Sequence, residues 1–326
     1  MVFEMTVAMH EERETREQGH LPVLPAESVR ELGILPGDVV VDCTAGGGGH
    51  LRLFAVATGK SGTVLALDRD RRAFDDDAAG GVARAFAQVR LVPRAFSQLR
   101  AVLDEQHIER ADVVFADLGV SSFQLDERAR GFSFRHEAPL DMRMDTSAGE
   151  TAAELIARLD DDELANVIFQ YGDEPRSRRI ARSIKRSMPT TTTALAAAVV
   201  SVLGPQAGRK IHPATKTFQA LRIAVNGELR ELEALLAALP LVLKEGGRAG
   251  FLTFHSLEDR PVKLAFRREH FRQTTKKPLT ASDAELHDNP RARSAKLRVA
   301  VYSTTPVVKE SRYPKKDDDV DNEDEA

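Results

Sequence analysis

The chain has 326 residues, of which 42% are hydrophobic, so it can bury a full core in one large or two modest domains. No apolar run approaches the length of a membrane span, and the charged segment Met1–His20 lacks the apolar core of a signal peptide. We therefore expect a globular, cytoplasmic protein without a membrane partner. Its one cysteine, Cys43, cannot form an intrachain disulfide or a cysteine zinc cluster.

The formal net charge of −4 is unevenly distributed along the chain. Seven of the 50 acidic residues lie in Asp317–Ala326, which contains no lysine or arginine, so the rest of the chain is mildly basic. An acidic end without aromatic residues is typical of disorder. We predict an acidic disordered tail over residues 306–326 and a disordered leader over residues 1–19. A mildly basic body is compatible with a nucleic-acid partner.

Apolar runs that alternate with helical patterns predict an α/β fold. The predicted strands are Val39–Asp42, Thr63–Asp68, Val89–Val92, Val113–Asp117 and Ala249–Phe254. The predicted helices are Pro25–Leu32, Phe74–Phe86, Phe96–Gln106 and Thr217–Leu239. This alternation indicates a doubly wound, Rossmann-like, mostly parallel sheet that binds its ligand at the carboxyl ends of the strands.

The alternation stops between the fourth and fifth predicted strands. Leu125–Asp145 is rich in charged and aromatic residues, and Ala152–Val202 is predominantly helical. We therefore predict a discontinuous α/β domain over residues 20–124 and 217–305. Residues 125–216 would form an inserted helical domain that recognises the substrate and places a roof over the ligand site.

A carboxylate and a glycine-rich loop follow the first predicted strand. The segment Asp42–His50 reads DCTAGGGGH, and glycines let a backbone turn with positive φ and approach a ligand closely. The dinucleotide motif G-x-G-x-x-G fails because Leu51 and Arg52 stand where its last glycine is needed, and no Walker loop can be drawn. The pattern D-x-x-x-G-x-G resembles the first motif of S-adenosylmethionine-dependent methyltransferases. A surface loop is the alternative.

Acidic residues also end the second and fourth predicted strands. Asp68 lies where the second strand of a βαβ unit presents a carboxylate to ribose hydroxyls, with helix capping as the alternative. Asp117 lies where methyltransferases of exocyclic amines usually have an Asp-Pro-Pro-type loop, although the prolines are absent here. An aspartate can still accept a hydrogen bond from a ligand amine, and the small residues Ser121 and Ser122 let a flat substrate approach.

Seven ordered motifs make the resemblance specific. They are His20–Leu24, Asp42–His50, Asp117–Ser122, Arg130–Phe134, Pro139–Asp145, His212–Arg222 and Phe254–Arg260. From about His20 to Val299 the chain resembles the ribosomal RNA small-subunit methyltransferase H family, also called MraW. It departs from the family pattern at Phe123, where proline is usual, and at Cys43, where glycine is usual.

The resemblance implies a class I methyltransferase acting on the small ribosomal subunit, with a homodimer as one assembly that we consider. The reaction would move a methyl group from S-adenosylmethionine to the exocyclic 4-amine of a cytidine in the decoding region of 16S rRNA. The implied cofactor-binding residues are Gly48, Gly49, His50, Asp68, Phe96, Asp117 and Gln124. We predict Asp117 as the catalytic residue, because an acceptor could orient the amine, while adenine remains its other possible partner.

Residues on the substrate side are predicted from their positions around the same cleft. The candidates are Ser121, Ser122, Asn226, His255 and Ser256. A cytosine in structured RNA must be unstacked to reach a pocket, which fits a cleft between an α/β floor and a helical roof. His255, Glu258 and Asp259 are competent metal ligands, but their spacing matches no known template, so we predict a hydrogen-bond network and no metal.

Three basic clusters are candidates for phosphate contacts, with a merely solvated face as the alternative for each. The first comprises Arg176, Arg178, Arg179, Arg182, Lys185 and Arg186. The second comprises Lys263, Arg267, Arg268, Arg272, Lys276 and Lys277, and the third Arg291, Arg293, Lys296 and Arg298. The first lies on a predicted helix whose Ile180, Ile184 and Met188 repeat toward the core.

Two other functions share these features. One keeps the fold but acts on DNA or on a small-molecule amine, and the basic clusters argue against the small molecule. The other is a non-catalytic ribosome-assembly factor that retains cofactor binding. Nucleoside analysis across a substrate panel separates the first from an rRNA methyltransferase, and a variant of Asp117 separates the second.

Overall fold

The computed structural model describes residues 21–75, 77–206, 208 and 211–307. The predicted leader and most of the predicted acidic tail lie outside these residues, as does His20. In the first half of the described chain, the elements are α1 (Pro25–Leu32), β1 (Val39–Asp42), α2 (Gly49–Thr58), β2 (Thr63–Asp68), α3 (Ala79–Ala85), β3 (Val89–Pro93), α4 (Leu99–Glu105), β4 (Ala111–Asp117) and α5 (Ser122–Asp126).

The second half begins with helices and returns to the sheet. Its elements are α6 (Ala152–Arg158), α7 (Asp161–Gly172), α8 (Ser177–Ser187), α9 (Thr192–Leu203), α10 (Thr215–Asn226), α11 (Glu228–Val242), β5 (Leu243–Thr253), α12 (Ser256–Ala265), β6 (Phe271–Gln273), α13 (Asp283–Asp288) and β7 (Lys296–Tyr302). None of the helices in the described ranges combines the length and the apolar character needed to cross a membrane.

Seven strands form one sheet in the order β3-β2-β1-β4-β5-β7-β6. The pairs among β1 to β5 are parallel, and β7 runs antiparallel to both of its neighbours. The parallel strand order reverses between β1 and β4, and such a reversal opens a crevice at the carboxyl ends of the strands. Asp42 and Asp117 end these two strands. The predicted doubly wound, Rossmann-like class is confirmed.

Alternate residues of the central strands supply two apolar cores. Val41 and Val114 belong to a cluster that includes α4, α11 and α12, whereas Val40 and Val113 belong to a cluster that includes α1, α2 and α3. Successive side chains of a strand point to opposite faces, so a sheet covered on both faces needs continuous apolar strands. This requirement explains why these strands read as unbroken apolar runs in the sequence.

The helices α6 to α10 pack around a third apolar cluster of their own. Phe218 and Leu221 of α10 are buried in this cluster, although the boundary drawn from the sequence after Lys216 assigns them to the α/β domain. The division into two domains stays a prediction, and we propose Gly227 as its second boundary. We call this helical part the roof below.

Several predicted elements need correction. The single helix predicted over Thr217–Leu239 is wrong, because Gly227 adopts a left-handed φ of 61° and separates α10 from α11. Met188 does not face the core as predicted: α8 ends at Ser187, and Met188 forms its left-handed cap with 44% of its surface exposed. A left-handed residue turns the chain out of the helix, so the apolar spacing no longer applies.

Other boundaries shifted for local reasons. The predicted helices at Phe74–Phe86 and Phe96–Gln106 are each divided, since short 3₁₀ turns at Arg71–Phe74 and Phe96–Gln98 precede α3 and α4. β5 begins at Leu243 rather than Ala249, and its pairing with β4 shifts register near the start of β4. β6 and β7 were not predicted. β6 is a short edge strand, and β7 alternates charged and apolar residues at its start, so both carry weaker apolar patterns than a buried parallel strand.

Candidate active site

At two positions the glycine loop adopts a left-handed backbone conformation, which glycine tolerates better than other residues. Gly46 and Gly48 have φ values of 47° and 82°, and Gly48 caps the N-terminus of α2. A Cβ atom on Gly48 would lie 2.9 Å from Cγ2 of Val82, so Gly48 is required by its packing against α3. Gly48 therefore supports the loop from behind, whereas Gly46, Gly47 and Gly49 line the cleft.

Asp42 holds the same loop from below. Its side chain is buried, and Oδ1 accepts a hydrogen bond from the backbone N–H of Thr44 at 3.1 Å. Oδ2 has no hydrogen-bond partner among the described residues. Burial raises the pKa of Asp42 to about 7, and nearby Asp68 acts in the same direction, whereas the hydrogen bonds from Thr44 oppose it.

Asp68 lines the cleft at the end of β2, as predicted from the sequence. Its Oδ2 accepts from the N–H of Gly46 at 2.9 Å, and its Oδ1 accepts from the N–H of Asp70 at 2.8 Å. Burial raises its pKa to about 6, against the lowering effect of these backbone hydrogen bonds. Phe96, on the 3₁₀ turn after β3, lines the same cleft.

Asp117 ends β4 and faces the cleft with its side chain 27% exposed. Its backbone N–H donates to Oγ1 of Thr44 at 2.7 Å, which ties the ends of β1 and β4 together. Oδ1 is buried without a hydrogen-bond partner in the described part of the chain. Burial raises the pKa of Asp117 to about 8, with smaller contributions from Asp42 and Glu258.

His50 stands beside Asp117 in the wall of the cleft. Its Nδ1 lies 3.6 Å from Oδ2 of Asp117, and its Nε2 lies 2.9 Å from the carbonyl oxygen of Val23, to which it donates. Burial lowers the pKa of His50 to about 4, so the ring is neutral at pH 7. A neutral ring that donates from Nε2 leaves the Nδ1 lone pair toward Asp117.

The loop after β4 forms a short helix, α5, in spite of the missing proline. Ser121 accepts from the N–H of Gln124, and the Gln124 side chain accepts from the N–H of Ser121 at 3.0 Å, which makes a capping box. Phe123 and Gln124 both line the cleft. Nε2 of Gln124 donates to Oδ2 of Asp70 at 2.7 Å, so its amide is fixed. Cys43, the other departure, is buried and lines the floor.

A charged cluster lines the wall contributed by α10, α11 and α12. Arg222 forms a two-pronged ion pair with Glu228 at 2.8 Å, and Nε2 of His255 lies 2.9 Å from Oε1 of Glu258. Burial opposes ionisation of Glu258, but contacts with His255 and Arg222 outweigh it and lower the pKa of Glu258. Glu258 was predicted to belong to a hydrogen-bond network with His255, whereas the sequence motifs contained Arg222 without a reason to assign it a role, and Glu228 was missed.

Two predicted substrate residues do not reach this cleft. The Asn226 side chain is buried: Oδ1 accepts from the N–H of Met144 at 2.8 Å, and Nδ2 donates to the carbonyl oxygen of Met142 at 2.7 Å. It fixes the backbone of the roof instead of facing a ligand. Ser256, at the start of α12, is exposed and is not among the residues that line the cleft. Ser121 and His255 do line the cleft, and Ser122 lies at the first position of α5.

The three residues that could in principle bind a metal, His255, Glu258 and Asp259, do not converge. His255 contacts Glu258, whereas Asp259 accepts from the guanidinium of Arg298 at 2.7 Å on the other side of α12. Within the described ranges, no group of three or more histidine, cysteine, aspartate or glutamate side chains is arranged to hold a metal ion.

The basic clusters differ in how far their charges are already paired. Most of the charges of the third cluster are already paired within the protein. Arg298 and Lys296 contact Asp259, and Arg291 contacts Asp126. In the first cluster, Lys185 donates to carbonyl oxygens at the end of α6. The arginines of that cluster are exposed and have no carboxylate partner among the described residues: Arg176, Arg178, Arg179, Arg182 and Arg186.

The cleft has a volume of about 370 Å³ and reaches from the glycine loop to the roof. Small-molecule and cofactor sites commonly have volumes of roughly 300 to 1,000 Å³. Carboxylates at the ends of β1, β2 and β4 surround the glycine loop, and two of their buried oxygens have no partner in the described structure. A sheet of this order with acids at these strand ends is the architecture of a class I methyltransferase.

Comparison with known proteins gives the family. Residues 17–303 match the model of the MraW methylase family, so the chain belongs to this family. The "Ribosomal RNA small subunit methyltransferase H" of Sorangium cellulosum is 49% identical over 290 residues, covering 87% of this chain and 91% of that protein. The protein of the same name from Acidobacterium capsulatum is 44% identical over 292 residues, covering 86% and 97%.

Proposed function

We propose that this protein transfers a methyl group from S-adenosylmethionine to the exocyclic 4-amine of a cytidine in the decoding region of 16S rRNA. The observation that carries the proposal is Asp117, which lines a cleft between the sheet and the roof and whose buried Oδ1 has no hydrogen-bond partner among the described residues. Family membership supplies the methyl transfer, and the names of the relatives support an rRNA substrate. A cytoplasmic location and a homodimer stay predictions.

The residues of the floor suit the proposed cofactor. When bound, S-adenosylmethionine supplies an electrophilic sulfonium methyl group. Asp68 offers carboxylate oxygens to ribose hydroxyls, and the half-buried ring of Phe96 offers a face for the adenine. Gly46 and Gly47 let the backbone approach the ligand closely. The negative charges of Asp42, Asp68 and Asp117 would be favoured by the positive charge of the bound donor.

Asp117 then acts on the nucleophile. Its carboxylate accepts a hydrogen bond from the cytosine amine, orients the nitrogen toward the methyl group and takes up the proton that the amine loses. No covalent enzyme intermediate is needed, because the amine itself is the nucleophile. The neutral His50 ring lies beside Asp117, with Nδ1 3.6 Å from Oδ2, and the pair His255 and Glu258 lines the same cleft.

The exposed arginines of α8 support an RNA substrate. They lie on the outer face of the roof, and the opposite face of the same helix buries Ile180 and Ile184. Arginine binds phosphate oxygens with two parallel donors, and such contacts hold the backbone while a base enters the cleft. A cytosine has to leave its stack to reach Asp117.

Methylation of small ribosomal subunits that lack this modification tests the proposal. The full chain is incubated with methyl-labelled S-adenosylmethionine and either subunits, naked 16S rRNA, DNA or free cytidine, and the products are digested to nucleosides. We expect label in one cytidine of 16S rRNA, as the 4-N-methyl nucleoside. Label on a different atom, or label confined to DNA or free cytidine, would overturn the proposal.

A further inference from the structure

A chain of buried hydrogen bonds leads from the cofactor side of the cleft to the roof, and it begins at Asp70. Asp70 is 4% exposed, and its backbone N–H donates to Oδ1 of Asp68 at 2.8 Å. Its Oδ2 accepts from Nε2 of Gln124 at 2.7 Å and from Nη2 of Arg130 at 2.8 Å. One carboxylate oxygen thus joins the end of β2, the loop after β4 and the first residues of the segment that leads into the roof.

Arg130 carries the connection onward. Its side chain is 8% exposed, and Nη2 also donates to the carbonyl oxygens of Arg143 at 3.0 Å and Met144 at 2.8 Å. Met144 lines the cleft, so the guanidinium holds a cleft-lining segment of the roof directly against Asp70. Separating this pair would leave an uncompensated buried charge, which is strongly unfavourable.

Asn226 and Arg69 close the connection into a ring. Asn226 holds the backbone of Met142 and Met144 through its amide, and its own carbonyl oxygen accepts from Nη1 of Arg69 at 2.7 Å. Arg69 stands between Asp68 and Asp70 in the chain. The two residues that follow β2 are therefore attached to the roof at two separate places: Asp70 contacts Arg130, and Arg69 contacts Asn226.

We propose that Asp70 and Arg130 are positioning residues that couple binding of the methyl donor to binding of the RNA. A ribose hydroxyl that donates a hydrogen bond to Asp68 would restrict the motion of the segment that contains Asp70. Arg130, which contacts both Asp70 and Met144, would then restrict the motion of Met144 and the roof. Ligands that each order the same segment bind more tightly together than apart. The inference rests on the proposed function, because it takes the roof as the RNA-binding part.

The test measures the Kd of S-adenosylhomocysteine for the full chain with and without saturating small ribosomal subunits. For the wild type we expect the two Kd values to differ by a factor of roughly 5 to 150, the usual range of such coupling. In Arg130→Gln and in the milder Asp70→Asn, we expect the Kd values with and without RNA to differ by less than about twofold. The Kd measured without RNA should change by less than about tenfold relative to wild type.

Arg298→Gln serves as the matched control. Arg298 is also 8% exposed and forms a buried pair with Asp259, but it contacts neither Asp68 nor the roof. This variant should keep the wild-type coupling factor. The inference would be overturned if a folded Asp70→Asn variant kept the wild-type coupling factor. It would also be overturned if the coupling factor of the Arg298→Gln control fell as far as that of the Asp70→Asn variant. A wild-type chain that binds S-adenosylhomocysteine and RNA but methylates no cytidine would instead contradict the proposed function and leave the coupling measurable.

Discussion

Three carboxylates at strand ends dominate the site at the scale of single residues. Burial raises the pKa of Asp42 to about 7, of Asp68 to about 6 and of Asp117 to about 8. The sheet brings all three close to the glycine loop, where burial favours the protonated form of each more than water does. A cationic methyl donor would favour the ionised forms, and with them the ability of Asp117 to accept a proton.

Replacement of Asp117 tests the proposed acceptor. Asp117→Asn keeps the shape but cannot take up a proton, so we expect kcat for rRNA methylation to fall by roughly 10²- to 10⁴-fold. The Kd of S-adenosylhomocysteine should change much less. The control Asp104→Asn removes one carboxylate of an exposed ion pair with Arg100 and should leave kcat unchanged. A near-normal kcat in Asp117→Asn would rule out this role, and an equal loss of cofactor affinity would assign Asp117 to adenine.

The buried Asp42 makes stability depend on pH. Its pKa is 3.8 ordinarily and about 7 in the fold, so the folded chain binds more protons than the unfolded chain between about pH 4 and pH 7. Ionisation of Asp42 therefore removes stability as the pH rises through this window. Asp42→Asn cannot ionise, and its free energy of unfolding should rise relative to wild type by up to roughly 1.4 kcal/mol per pH unit. Urea unfolding of the ligand-free proteins at pH 5, 6 and 7 checks this, and a pH-independent difference would contradict it.

At the scale of elements, the glycine loop divides into residues that face the ligand and residues that face the protein. Gly47 lines the cleft, has no positive φ, and an added Cβ would meet no atom within 4 Å. Gly48 has a φ of 82° and packs directly against α3. Two adjacent glycines of one motif thus have different roles: Gly47 leaves space for a ligand, and Gly48 allows the close packing that the fold requires.

Alanine substitutions separate these two requirements. Gly48→Ala should lower the free energy of unfolding by roughly 1 to 3 kcal/mol, because a left-handed φ is strained for alanine and its Cβ would contact Val82. Gly47→Ala should change stability by less than about 0.5 kcal/mol and act mainly on the Kd of the cofactor. Chemical denaturation and isothermal titration measure the two effects. Equal stability losses in both variants would contradict this division of roles.

At the scale of the whole molecule, the roof gives the methyltransferase sheet a second surface. Its own apolar core orients α8 so that arginines face outward, and the buried ring through Asp70, Arg130 and Asn226 fixes the roof to the floor. In the proposed function, the positive charge on the outer surface and the shape of the cleft act on the same RNA molecule. The net charge of the chain, −4, conceals this local concentration of positive charge.

Charge removal on α8 tests the RNA surface. The triple variant Arg178→Gln, Arg182→Gln, Arg186→Gln should bind 16S rRNA more weakly, and the slope of log affinity against log salt should fall by roughly one for each lost phosphate contact. Affinity for the cofactor should not change. The control Arg158→Gln removes an exposed arginine that already pairs with Glu150 at 2.6 Å and should keep the wild-type slope. An unchanged slope in the triple variant would place the RNA elsewhere.

The sequence by itself determined the fold class, the edge of the sheet at which the cleft lies and the family. Buried parallel strands require continuous apolar runs, and acids at their ends must meet at one edge, so local patterns were sufficient. Only the tertiary structure decided that Gly48 supports the loop from behind, that Asn226 holds the roof, and that Gly227 divides a predicted helix. It also paired Asp70 with Arg130, which lie 60 positions apart. Such roles depend on partners distant in the chain, on burial and on the sign of a single φ angle, none of which a local pattern records.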